Sequence, residues 1–68
     1  MEKLIIIGAS GHAKVITDII EKQGSYTIAG FIDDNRNKAE SFMGYPILGK
    51  MDDLSELIKL LDCKHILI

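Results

Sequence analysis

Residues able to do chemistry are concentrated in one stretch, Gly8-Ala9-Ser10-Gly11-His12-Ala13. Small side chains let a ligand approach the main chain closely. The start of a helix adds unpaired N–H groups and a partial positive charge. Such a loop can hold a phosphate without any basic side chain. It departs from the dinucleotide fingerprint G-x-G-x-x-G/A: counted from Gly8, Ser10 stands at the second glycine, while Ala13 satisfies the third position. The alternative is a plain strand-to-helix turn with no ligand. A strand before the loop and a helix after it favour phosphate binding.

Asp33 and Asp34 follow the next strand, where an acidic residue commonly takes a ribose hydroxyl. Alone they read as a turn starter; together with the glycine loop they point to a nucleoside. Two carboxylates at this place disfavour a further phosphate, and hence NADP. His12 falls in the first helical turn, either donating to a phosphate or sugar or simply facing solvent. His65 reads as structural. Lys14, Arg36 and Lys38 read as solvated, Met43 and Met51 as packing residues, and Cys63 as an inert small one. No nucleophile–base pair, carboxylate pair or metal-ligand cluster stands out, so no catalytic residue and no metal is assigned.

The elements that must position these residues are legible. Lys3–Ile7 is a continuous apolar run, as in a central parallel strand covered on both faces. A helix is expected from about His12 to Lys22, with Val15, Ile16, Ile19 and Ile20 inward, Ser10 as N-cap and Gly24 just past its end. Tyr26–Ile32 is the second strand, completing a βαβ unit of about thirty residues. Asn35–Gly44 reads as loop, and Tyr45–Leu48 as a short strand that Pro46 confines to an edge. Asp52 or Asp53 caps a second helix, with Asp53 and Glu56 as a capping box and Leu54, Leu57, Ile58 and Leu61 on one face. His65–Ile68 is a last strand, expected on the far side of the first one from Tyr26–Ile32. The fold class is α/β: a small Rossmann-like parallel sheet with flanking helices, one βαβ unit plus a further α/β unit.

Composition narrows the function classes. The chain has 68 residues, eight basic and ten acidic, for a net charge of −2. That argues against a nucleic-acid-binding arm or a polybasic membrane patch. Ile, Leu and Val make up 20 of the residues, too many for a disordered chain. The apolar runs are far shorter than the ~20 residues of a membrane span, and there is no secretory signal. A single cysteine allows no internal disulfide. The expected compartment is the cytoplasm. The apolar ending His65-Ile66-Leu67-Ile68 suggests a piece of a longer protein.

Three segments in order carry a resemblance: Ile7-Gly8-Ala9-Ser10-Gly11-His12-Ala13-Lys14, Gly30-Phe31-Ile32-Asp33-Asp34, and Gly44-Tyr45-Pro46-Ile47-Leu48-Gly49. The chain resembles, over nearly its whole length, the N-terminal domain of the sialic acid O-acetyltransferase (NeuD) family, which includes the PglD-type nucleotide-amino-sugar N-acetyltransferases. The resemblance implies a domain that binds a UDP-sugar, followed in the family by a left-handed β-helix of hexapeptide repeats. That second domain, absent here, would bind acetyl-CoA, carry the catalytic histidine and assemble as a homotrimer. By the same resemblance Gly8, Ala9, Ser10, Gly11 and His12 would hold the pyrophosphate or sugar, and Asp33 and Asp34 would face the uridine. The other readings are the start of an NAD-binding oxidoreductase, which Ser10 speaks against, and a non-catalytic assembly or regulatory module.

Overall fold

The computed structural model describes all 68 residues. In chain order the elements are β1 (Glu2–Ile7), α1 (Gly11–Gln23), β2 (Tyr26–Ile32), β3 (Ser41–Phe42), β4 (Tyr45–Gly49), a 3-10 turn (Met51–Asp53), α2 (Leu54–Leu61) and β5 (His65–Leu67). The five strands form one sheet in the order β3-β4-β2-β1-β5. β1 pairs in parallel with β2 on one side and β5 on the other, as the sequence predicts. β4 is parallel to β2, and only β3 runs antiparallel. No helix is long and apolar enough to cross a membrane.

The unbroken apolar run of β1 is explained by its two covered faces. Leu4 and Ile6 pack with Ala13 and Ile20 of α1, while Ile5 and Ile7 pack on the side of Leu54, Leu57 and Leu61 of α2. In β2 the alternation carries a bulge. Leu4 faces Ile28 but Ile5 faces Gly30, so Ala29 is an extra residue. That extra residue resets the phase, and Ile28 and Phe31 lie on the same α1 side although three apart. Phe31 is fully buried there, edge-on to Phe42 and Tyr45.

Several expectations need correction. The inward face of α1 is Ala13, Ile16, Thr17 and Ile20, whereas Val15 and Ile19 are exposed. Ala13 and Thr17 are small enough to bring the helix close to the sheet, and the Thr17 hydroxyl is buried without a partner. Ser10 takes the N-cap position but its side chain makes no capping bond. Gly24 does close the helix in the left-handed conformation, its N–H reaching the Ile20 carbonyl. The Asp18–Lys22 ion pair forms at 2.9 Å on the exposed side. Asp53 reaches back to the Lys50 N–H at 2.9 Å, so it caps the 3-10 turn rather than pairing with Glu56.

The segment 35–44 is not all loop. Ser41 and Phe42 pair with Pro46 and Tyr45 in a hairpin, so β4 is not the sheet edge. Pro46 is tolerated because the Ile47 N–H, one residue on, carries the bond to the Glu40 carbonyl. The two turn residues, Met43 and Gly44, both have positive φ, 54° and 85°, as in a type I′ turn. Met43 and Met51, expected as packing residues, are both exposed and outside the core. Asparagine tolerates the left-handed region far better than methionine. Met43→Asn is therefore expected to raise stability by up to about 1 kcal/mol, read as a higher urea midpoint with an unchanged slope. A lower midpoint would contradict this account of the turn.

Candidate functional site

Parallel strands deliver their carboxyl ends to one edge of the sheet, and there Gly8–Ala13, Asp33–Arg36 and Gly49–Met51 meet. Gly8 has a φ of 95°, a conformation that suits glycine, and its N–H extends the β1–β2 pairing to the Ile32 carbonyl at 2.7 Å. Ala9 is buried and held from both sides. Its N–H donates to Asp33 Oδ2 at 2.8 Å, and its carbonyl accepts from Arg36 Nε at 3.1 Å. Ser10, Gly11 and His12 are exposed. The first helical bond runs from the Lys14 N–H to the Ser10 carbonyl, so the amides of the first turn precede any intrahelical acceptor. The N–H groups of Gly8 and Ala9 are taken up inside the fold. The amides left for a ligand begin at Ser10, further into the helix than the glycine spacing suggests.

Both aspartates hold main chain. Asp33 accepts from Ala9 and, through Oδ1, from the Asn35 N–H at 2.8 Å. The Ala9 amide foremost, then that of Asn35, keeps its carboxyl ionised below the usual aspartate range. Each carboxylate oxygen retains a second lone pair for a ligand hydroxyl. Asp34 Oδ1 accepts the Met51 N–H at 2.9 Å, and its carbonyl accepts from Lys50 Nζ at 2.7 Å. The two neighbours thus tie the end of β2 to the starts of both helical segments.

Two cations share this edge. Arg36, expected to be solvated, is folded onto the loop instead, with its guanidinium 5.0 Å from the centre of the Phe42 ring and 3.6 Å from Glu40. The missed hairpin is what carries Phe42 there. Lys50 follows the last residue of β4; a parallel β4 places it beside Asp34, so that pairing was its signal. His65 sits at the opposite, amino end, bonded to Glu2 at 2.6 Å and edge-on to Tyr26, in keeping with a structural role. No three His, Cys, Asp or Glu side chains converge on a metal position. Three surface concavities exist, and none is lined by Gly8–His12, Asp33 or Asp34. On this chain the glycine loop is an open shelf rather than a pocket.

A family model described as the PglD N-terminal domain matches residues 3–67. The chain belongs to this family. PglD N-terminal domains form the first part of PglD-type acetyltransferases, and the match runs from the second residue of β1 to the last of β5. A search of the curated proteins returns no match.

Proposed function

We propose that this PglD N-terminal domain binds the nucleotide-sugar substrate, a UDP-linked sugar, of an acetyl-CoA-dependent sugar O- or N-acetyltransferase. The reading is supported above all by the accessible amides of Ser10–His12 at the carboxyl edge of β1, between β2 and β5. There the chain order reverses direction across the sheet, the place where open α/β sheets take their ligands. Ser10, Gly11 and His12 offer the amides of the diphosphate shelf, and Gly8 and Ala9 form the turn that carries them. Asp33 and Asp34 offer their remaining lone pairs to the uridine side. In the overall reaction the acetyl group leaves the CoA thiol for an amine or hydroxyl of the sugar, which gives up a proton. This chain supplies affinity and orientation for the sugar. Acetyl-CoA binding, proton transfer and trimer assembly belong to the β-helix, and the compartment is the cytoplasm.

The test is thermal unfolding of the chain with UDP, a UDP-sugar or NAD. At a hundred times its dissociation constant, a ligand adds about 2.7 kcal/mol of stability, or about 10–20 °C in Tm for a domain this small. A shift with the uridine ligands and none with NAD is expected. A shift with NAD alone would move the chain to the oxidoreductase reading, and none with any nucleotide would leave an assembly module. Gly11→Val separates binding from folding. A Cβ at Gly11 meets nothing within 4 Å, so the free protein should keep its Tm while the UDP shift disappears.

A further inference from the structure

We infer that Arg36 is a positioning residue for diphosphate binding, acting through the Ala9–Ser10 peptide. The inference rests on the nucleotide-sugar reading and adds a residue that the glycine loop alone does not suggest. Arg36 Nε donates to the Ala9 carbonyl at 3.1 Å. That carbonyl shares a trans peptide plane with the Ser10 N–H, which points the opposite way. Fixing one end of the plane therefore aims the other, and a charged donor on the carbonyl makes the N–H a stronger donor in turn.

The geometry shows why the peptide needs holding. Gly8 and Gly11 flank it, and glycine leaves the chain conformationally free. Asp33 fixes the preceding peptide through the Ala9 N–H at 2.8 Å, so a side chain from the same loop grips each side of Ala9. Arg36 is itself immobilised: its backbone N–H reaches the Asp33 carbonyl at 3.4 Å, its guanidinium lies over Phe42, and Glu40 stands 3.6 Å from one terminal nitrogen. It also places a positive charge beside the Asp33 carboxylate, which would otherwise repel a phosphate arriving at Ser10. Lys50, bonded to the Asp34 carbonyl, is the other cation of this edge.

The test compares UDP and uridine binding to the full chain, by calorimetry, for the wild type, Arg36→Ala and Arg36→Lys. Arg36→Ala should lose about tenfold in UDP affinity, the size of one charge-assisted hydrogen bond, and leave uridine affinity unchanged. Arg36→Lys, which keeps a charged donor, should recover most of the loss. In a proton–nitrogen NMR spectrum of the unligated Arg36→Lys protein, the Ser10 amide should stay close to its wild-type position, and in Arg36→Ala it should move. Equal UDP binding by wild type and Arg36→Ala would overturn the inference alone. So would a parallel fall in UDP and uridine affinity, which marks general damage. No UDP binding by the wild type would overturn the nucleotide reading and this inference with it.

Discussion

Gly30→Val is expected to remove a third or more of the chain's stability and to lower its urea midpoint sharply. A Cβ at Gly30 would lie 2.5 Å from the Pro46 carbonyl oxygen and 2.7 Å from Leu48 Cγ. Leu48 can turn aside. The Pro46 carbonyl cannot, because β4 is held between β2 and β3 by main-chain pairing on both sides. Relief requires β4 to move off β2, which would uncover Phe31 and Ile47, both almost fully buried. Overpacking of this kind costs about 3 kcal/mol. A domain of this size has roughly 3–10 kcal/mol in all. Far-UV circular dichroism and urea titration read the outcome, and a wild-type urea midpoint would show that the two strands are not packed so tightly.

Asp33→Ala is expected to reduce stability by about 2 kcal/mol and to abolish the UDP-induced thermal shift. The substitution strands the Ala9 and Asn35 amides, each bonded to a charged acceptor, and the exposure of the Asn35 contact keeps the total below that of two buried bonds. The binding loss follows from the freed glycine loop. The effect depends on pH, with a sign set by the lowered pKa of Asp33. A carboxyl whose folded pKa lies below its unfolded value contributes stability that is fully present above the unfolded value, about 4. That contribution is lost as pH falls through the folded pKa. The gap between wild type and Asp33→Ala should therefore be widest near neutrality and close in acid. Glu2, held ionised first by its hydrogen bond to His65, adds a second acid-sensitive contribution that both proteins share. A gap that stays constant down to pH 2 would contradict the role given to the Asp33 carboxylate.

How much was legible in the residues depended on the kind of signal. β1, β2, α1 and the order of β2 and β5 around β1 followed from apolar runs, a helix signal and the length of a crossover. The inward face of α1 did not, because Ala13 and Thr17 do not look like core residues, and Val15 and Ile19 do. A hydropathy pattern rewards bulk, whereas a helix lying close on a sheet requires small residues at the contact. The hairpin at Phe42 was hidden because its strand is only two residues long and its turn uses Met43 in place of the expected asparagine. That omission also concealed Arg36, whose place on the loop depends on Phe42. The sequence put the glycine loop and both aspartates at the ends of strands, and the structure brings them to one sheet edge; the aspartates' bonds to Ala9, Asn35 and Met51 depend on how three strand ends meet.

Asp33 and Asp34 are adjacent, yet their side chains hold segments that lead into helices on opposite faces of the sheet: Ala9, just before α1, and Met51, just before α2. The short stretch after β2 therefore acts as a yoke across the sheet. A tilt of either helical layer at its amino end would strain one of these two bonds and so load the stretch they share. A molecule that settles on the shelf and shifts Ala9 would tug the reverse layer as well, so its arrival would register on the side of the domain it never touches.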